Sequence, residues 1–173
     1  VKEMGKYKYL GEVVKIIGHK NDPGVDILSI IYDHGINDVF TDEVMEEVNA
    51  LPSEVLDSDR KGRKDLTDMT IFTIDGDDTK DIDDAISISK KGENYILGVH
   101  IADVSYYVKE GTALYKEAYS RGTSVYLVDR VVPMLPHKLS NGICSLNPNV
   151  DRLAISCIME ITPNGKIVSH DIF

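Results

Sequence analysis

Eight aspartates lie within residues 65–84, between two stretches whose residues favour strands, and only one basic residue, Lys80, accompanies them. Aspartate is a poor strand former, so the segment predicts a loop between the two strands. Carboxylates this close repel one another, and the repulsion grows where water is partly excluded. The chain must therefore leave these side chains in water or supply a positive partner. The eight are Asp65, Asp68, Asp75, Asp77, Asp78, Asp81, Asp83 and Asp84.

A divalent cation would remove the conflict, and carboxylate oxygens suit Mg²⁺, Mn²⁺ or Ca²⁺ rather than Zn²⁺. An EF-hand loop beginning at Asp75 would need glycine at position 80 and glutamate at position 86, but the chain has Lys80 and Ile86 there. An acidic loop between strands is typical of metal-dependent phosphoryl transfer or phosphodiester hydrolysis. A solvated loop without function remains the alternative at this point.

The rest of the pattern predicts an α+β fold, a mixed β-sheet with flanking helices. Asp22 and Pro23 predict the start of one helix, as its cap and its first residue. Thr41 and Thr112 predict the caps of two more, which Pro52 and Gly122 end. Residues 53–64 are polar and predict a linker. Strands are expected over 8–17, 70–74, 85–89, 95–102, 125–128, 152–162 and 166–173.

The net charge of −10 has the wrong sign for a surface that binds a phosphate backbone, unless the acid is concentrated at a metal. Much of it does lie in the aspartate segment. Cys144 and Cys157 form no CxxC pair and indicate two buried thiols in a reducing compartment, so we expect a cytoplasmic protein without a disulfide-linked partner. No signal peptide or membrane-spanning run is visible, and no membrane partner is expected. The chain begins without Met and stops within a predicted strand, so we expect a piece of a longer protein.

The motif Asp75-x5-Asp81-x-Asp83-Asp84 resembles the catalytic motif of the ribonuclease II and ribonuclease R superfamily of 3′-to-5′ exoribonucleases. The resemblance extends in order over nearly the whole chain and favours the ribonuclease R branch. It is carried by Gly18–Gly24, Gly98–Ser105, Arg121–Leu127, Pro133–Pro136 and Leu139–Pro148.

The resemblance implies that residues 1–60 form the end of a cold-shock (OB-like) domain and a helical linker. Residues 61–173 would be the N-terminal part of the catalytic RNB domain. It also implies processive, Mg²⁺-dependent hydrolysis of single-stranded RNA from its 3′ end, with Mn²⁺ as a possible substitute for Mg²⁺. Structured RNA that carries a 3′ overhang would be degraded as well. The products would be nucleoside 5′-monophosphates. The family's further channel residues are not among these 173, so we expect the chain alone to be inactive.

The resemblance also assigns roles to particular residues. Asp75, Asp81 and Asp84 would bind the metal or position its water ligands, and loss of Asp83 would abolish cleavage while RNA binding persists. Tyr126 would stack on the terminal nucleotide, whereas the residues alone favour a core strand residue. Asp77 and Asp78 lie outside the motif and are interpreted as contributors to the electrostatic field.

Other polar residues carry structural interpretations. His100, Asp103 and Ser105 are too close in sequence for a catalytic triad. The basic run Lys61, Arg63 and Lys64 is expected to be a solvated face. Two alternatives to the enzyme remain: an RNA-binding regulator with an inactive ribonuclease fold, and a non-catalytic cation-binding module. The scattered histidines, for which no metal role is expected, are His19, His34, His137 and His170.

Overall fold

The computed structural model describes Lys2–Glu3 and residues 9–173. By packing, the chain divides into two units. The first is Val1–Val39 with Tyr126–Val132, and the second is Phe40–Val125 with Pro133–Phe173. None of the helices in the described part is long and apolar enough to cross a membrane.

Among its described residues, the first unit contains two short strand pairs and one helix. Strand β1 (Lys2–Glu3) pairs antiparallel with β2 (Tyr9–Leu10), helix α1 covers Val25–Asp33, and β6 (Val125–Tyr126) forms a small ribbon with β7 (Val131–Val132). The strand expected over residues 8–17 begins at Lys8, which lies outside the described residues. For the residues beyond Leu10 the prediction is wrong. Residues 11–19 have no regular structure because no strand in the described part of the chain pairs with them there.

The start of α1 also differs from the prediction. The helix begins at Val25, and its cap is Gly24, which has a left-handed backbone (φ 80°). Asp22 instead accepts a hydrogen bond from the His19 amide (2.9 Å) in the preceding turn. The expected cap at Asp22 with Pro23 as first helical residue is therefore wrong, because the side chain that would cap the helix is used to close a turn.

The second unit is built on an antiparallel sheet. Among the described residues its strand order is β3 (Ile71–Phe72), β4 (Asp84–Lys91), β5 (Asn94–Ala102), β8 (Ala154–Ile161) and β9 (Ile167–Ile172). A two-residue turn at Gly92–Glu93, with Gly92 at φ 61°, joins β4 to β5. The register pairs Asp84 with Ile101 and Ala102 with Ala154.

Alternation along these strands separates two faces of the sheet. One face is buried and includes polar side chains, with Ser87 4%, His100 2% and Ser156 2% exposed. The opposite face carries exposed apolar residues such as Ile88 and Ile101. The buried face therefore places polar groups where each needs a hydrogen-bond partner.

The helices of this unit are α2 (Asp42–Ala50), α3 (Val104–Tyr107) and α4 (Ala113–Arg121), followed by a π-helical turn (Leu139–Ile143). The caps at Thr41, Thr112 and Gly122 are confirmed. Leu139 is fully buried in the apolar core that these elements share, so its burial contributes about 1.5–3 kcal/mol to folding. The α+β class is confirmed, and the described pairings of the sheet are all antiparallel.

Candidate functional site

The acidic loop, defined here as residues 73–83, connects β3 to β4. These strands are antiparallel neighbours, with Ile71 opposite Ser87 and Phe72 opposite Ile86. The end of β3 and the start of β4 therefore lie at the same end of the sheet, and the loop joins them there. A turn within it is closed by the Thr79 amide, which donates to the Gly76 carbonyl (3.0 Å). The predicted strand over 70–74 is shortened to Ile71–Phe72, which lengthens this loop.

Most of the aspartate side chains face water. Asp75, Asp77, Asp78 and Asp83 are exposed within the loop, Asp81 is half-buried, and Asp84 is the exposed first residue of β4. The motif therefore lies partly in the loop and partly at the first position of a strand, where a regular ladder fixes the backbone.

The C-terminal half of the loop is held by backbone hydrogen bonds. The Asp83 carbonyl accepts from the Ala102 amide (2.9 Å), and the Ile82 carbonyl accepts from the Leu146 amide (2.8 Å). The buried hydroxyl of Ser145 bonds to Ile82 and Lys80 as well. The segment that carries Asp81 and Asp83 is thus fixed to β5 and to the chain after the π-helical turn.

Asp83 is in the least favourable electrostatic position among the motif residues. Partial burial of its carboxyl raises the pKa of Asp83, and the negative charges of Asp81, Asp84 and Asp75 raise it further. Asp83 is exposed as a whole residue, so this burial concerns the carboxyl rather than the side chain's full surface. The three carboxylates that act on Asp83 are the three others of the sequence motif, and the structure brings all four into electrostatic contact.

The donor chemistry of this group fits a hard divalent cation, because four carboxylates supply oxygen ligands and their negative charges act on one another. Across the described residues, no group of three or more His, Cys, Asp or Glu side chains is already arranged to hold a metal ion. Mutually repelling carboxylates lie apart until a cation offsets their charge. The residue types therefore fit the ion, and their convergence on it would accompany binding.

Tyr126 lies in β6, in the first unit, and is 68% exposed. The alternative that it is a core strand residue is therefore wrong.

His100, Asp103 and Ser105 do not form a triad. The ring nitrogens of His100 bond to Ser87 Oγ (3.0 Å) and Ser156 Oγ (2.9 Å) on neighbouring strands, and burial lowers its pKa. Asp103 instead accepts from Ser105 Oγ (2.8 Å). His100 therefore links β4, β5 and β8 as a neutral side chain.

The basic run Lys61, Arg63 and Lys64 is exposed, as expected of a solvated face. Arg63 also donates to the buried carboxylate of Asp103 (2.7 Å), and its guanidinium lies over the Tyr106 ring. Lys64 pairs with Asp171 at the surface. Arg63 therefore combines an exposed position with a structural role, because the buried Asp103 carboxylate requires a positive partner.

Ser145 is the residue at this site that the sequence did not indicate. It lies within the stretch Leu139–Pro148, but a serine in a polar segment carries no signal of a contact with a loop about 60 residues earlier. Only the folded chain brings its hydroxyl to the acidic loop.

The amino-acid sequence of the chain is similar to those of known protein families. The sequence model of the RNB domain matches residues 63–173, and that of a cold shock domain matches residues 2–41. Ribonuclease R of Thermotoga maritima is 54% identical over 165 residues, which cover 94% of this chain and 23% of that protein. The chain thus spans about a quarter of the length of that relative.

Solved structures agree with the sequence comparison. Mycoplasma genitalium RNase R in complex with ribose methylated single-stranded RNA superposes with a TM-score of 0.84 at 34% identity, covering 91% of this chain and 24% of that one. Yeast Ssd1, a pseudonuclease, has the same fold with a TM-score of 0.71 at 21% identity, covering 91% of this chain and 20% of that one. The fold alone therefore does not decide whether a protein cleaves RNA.

Proposed function

The chain belongs to the RNB domain family, and from this premise we propose that the protein carrying it is a processive 3′-to-5′ exoribonuclease. Its substrate would be single-stranded RNA, including the 3′ overhang of structured RNA, and its products nucleoside 5′-monophosphates. The observation that carries the proposal is the acidic loop, in which the negative charges of Asp75, Asp81 and Asp84 all act on the partly buried carboxyl of Asp83.

We assign Asp75, Asp81 and Asp84 to holding a divalent cation, Mg²⁺ with Mn²⁺ as a substitute. When bound, the ion would supply charge neutralisation and Lewis-acid activation at the scissile phosphate. Asp75 near the start of the loop, Asp81 near its end and Asp84 at the start of β4 would hold the ion. Hard oxygen donors in this number favour these two metals over Zn²⁺.

We assign Asp83 to the cleavage step rather than to RNA affinity. The negative charges of the other three motif residues all act on its partly buried carboxyl, so replacing it would change the charge at the reacting phosphate more than it changes the surface that RNA contacts. Asp77 and Asp78 contribute to the negative field from exposed positions outside the motif.

Tyr126 is assigned to RNA binding. Stacking a base on an exposed ring contributes about 1–3 kcal/mol and accepts any base, which suits an enzyme that removes every nucleotide in turn. Its exposure of 68% leaves the ring accessible.

For the organisation of the chain, we propose that residues 1–60 are the end of a cold-shock domain with a helical linker and that 61–173 begin the catalytic domain. The relatives are about four times as long as the matched region, so the remaining channel would come from other parts of the protein. The 173-residue chain would then hold metal but cleave RNA slowly or not at all. We place the protein in the cytoplasm, without a membrane or disulfide-linked partner.

The test is an exonuclease assay on the full-length protein with RNA labelled at its 5′ end and carrying a 3′ single-stranded tail. We expect stepwise shortening in Mg²⁺, none in EDTA, and none with Asp83→Asn although RNA is still bound. Asp78→Asn is the matched control, since it removes one charge from an exposed position outside the motif, and it should stay within a few-fold of wild type.

Two results would replace the proposal. Bound but undegraded RNA with the wild-type protein would indicate an RNA-binding regulator with an inactive fold. Tight cation binding with no RNA affinity would indicate a cation-binding module.

A further inference from the structure

The hydroxyl of Ser145 bridges two backbone groups of the acidic loop on either side of Asp81. It accepts a hydrogen bond from the Ile82 amide (3.0 Å) and donates one to the Lys80 carbonyl (2.8 Å). The next residue, Leu146, donates its amide to the Ile82 carbonyl (2.8 Å). Three hydrogen bonds from two adjacent residues therefore fix the backbone from which the Asp81 and Asp83 side chains project.

Ser145 is itself firmly held. Its amide donates to the Gly142 carbonyl (3.1 Å), and its carbonyl accepts from Arg152 Nε (2.8 Å) and from the Asn147 amide (2.8 Å). The residue is 0% exposed, so all of these bonds are made away from water. Each polar atom of Ser145 has a protein partner, and the hydroxyl is a fixed point against which the loop is placed.

A hydroxyl is the group that can make both of these hydrogen bonds at this position. It accepts and donates at one atom, and its single proton goes to Lys80, because the Asn147 side-chain oxygen lies further away at 3.4 Å. Alanine would leave the Ile82 amide and the Lys80 carbonyl without these partners. The loop backbone would then rearrange so that water can form hydrogen bonds with these two groups, and Asp81 and Asp83 would move with it.

We propose that Ser145 is a positioning residue that holds Asp81 and Asp83 in the arrangement needed for cation binding and cleavage. This inference rests on the proposed function, because it concerns the same site. Ser145 touches neither substrate nor metal in this account and acts only through the loop backbone. Loss of a group that orients metal-binding side chains lowers metal affinity or activity by roughly 10- to 100-fold.

The experiment compares Ser145→Ala with two further variants of the full-length protein. Ser145→Thr retains the hydroxyl, and Ser156→Ala is the matched control: Ser156 is 2% exposed and its hydroxyl bonds to His100, away from the acidic loop. For each protein we would measure kcat and KM for single-stranded RNA, thermal unfolding, and Mn²⁺ affinity without RNA by electron paramagnetic resonance.

We expect Ser145→Ala to lower kcat by roughly 10- to 100-fold, to weaken Mn²⁺ binding by a similar factor, and to leave KM within about twofold. Ser145→Thr should recover a large part of both losses, and Ser156→Ala should change neither, although it lowers thermal stability.

Equal effects of Ser145→Ala and Ser156→Ala on kcat and Mn²⁺ affinity would overturn the inference, because the loss would then reflect fold stability. A raised KM with unchanged Mn²⁺ affinity would also overturn it. If the wild type does not shorten RNA while Ser145→Ala still weakens Mn²⁺ binding, the proposed function fails and the positioning role stands.

Discussion

Replacing Gly98 with alanine tests the packing of the sheet on which the acidic loop is mounted. Gly98 lies in β5 between Ser87 of β4 and Ile158 of β8. A Cβ atom there would lie 2.3 Å from Ser87 Oγ, 2.7 Å from His100 Nε2 and 2.9 Å from Ile158 Cδ1. All three distances are too short, so neighbouring side chains must move.

We expect Gly98→Ala to lower the free energy of unfolding, whereas a glycine-to-alanine change in a strand ordinarily raises it. Alanine in place of a strand glycine normally stabilises by about 0.5–1 kcal/mol. Here the Ser87–His100 hydrogen bond (3.0 Å) and the His100–Ser156 hydrogen bond (2.9 Å) hold the Ser87 and His100 side chains in place, so they cannot move away from a new Cβ atom without breaking a hydrogen bond. Overpacking costs about 1–3 kcal/mol and a broken hydrogen bond about 0.5–1.5 kcal/mol, which together exceed the usual gain, so we expect a net loss of about 0.5–4 kcal/mol.

The assay is urea unfolding of the purified chain followed by circular dichroism. Gly76→Ala serves as control, since the nearest atoms to its Cβ lie at an ordinary 3.4 Å. In the double variant Gly98→Ala/Ser87→Ala the worst contact is removed, and a favourable coupling of at least about 0.5 kcal/mol is expected. A Gly98→Ala chain as stable as wild type, or an absence of coupling, would refute this reasoning.

Three further predictions follow from buried groups. Burial raises the pKa of the Cys144 thiol to about 12, so iodoacetamide at pH 8 should modify the half-buried Cys157 well before Cys144, as read by mass spectrometry; equal rates would contradict this. Leu139→Ala should lower the free energy of unfolding by about 2–5 kcal/mol, because the side chain is fully buried, and a smaller loss would show that the core collapses around the gap. Desolvation pushes the pKa of Asp103 up, but the hydrogen bonds from Arg63, Ser105 and the Tyr106 amide, together with the positive charge of Arg63, outweigh it and the pKa is lowered in the fold. The carboxylate therefore stabilises the fold above its unfolded pKa of roughly 3.9, and this contribution is lost as the pH falls through the lower folded pKa. Asp103→Asn should thus flatten the acid side of the stability curve, and an unchanged curve would refute the assignment.

The sequence predicted those features of the site that depend on local composition. Aspartate disfavours strands, so a loop between two apolar strands followed from the residues themselves, as did the capping threonine Thr41 and the left-handed Gly122. The resemblance to the ribonuclease superfamily grouped Asp75, Asp81, Asp83 and Asp84, and the charges of the other three raise the pKa of Asp83, while the roles of these residues stay predictions.

The sequence did not predict features that depend on distant partners. Residues 11–19 contain β-branched residues that favour a strand, but strands form only where another strand is available to pair. Asp22 had two local options, a helix cap or a turn, and the left-handed Gly24 decided between them. The bond of Ser145 to Ile82 joins residues 63 positions apart, which no local pattern encodes.

The central claim is that the acidic loop holds a cation at the scissile phosphate, and a sulfur substitution tests it most directly. The full-length protein would be given RNA whose 3′-terminal linkage carries sulfur in place of one non-bridging phosphate oxygen. Mn²⁺ accepts sulfur more readily than Mg²⁺ does. We expect removal of the terminal nucleotide to be slow in Mg²⁺ and largely restored in Mn²⁺ for one of the two sulfur isomers. Equal rates in the two metals for both isomers, relative to unmodified RNA, would contradict a metal contact at that phosphate.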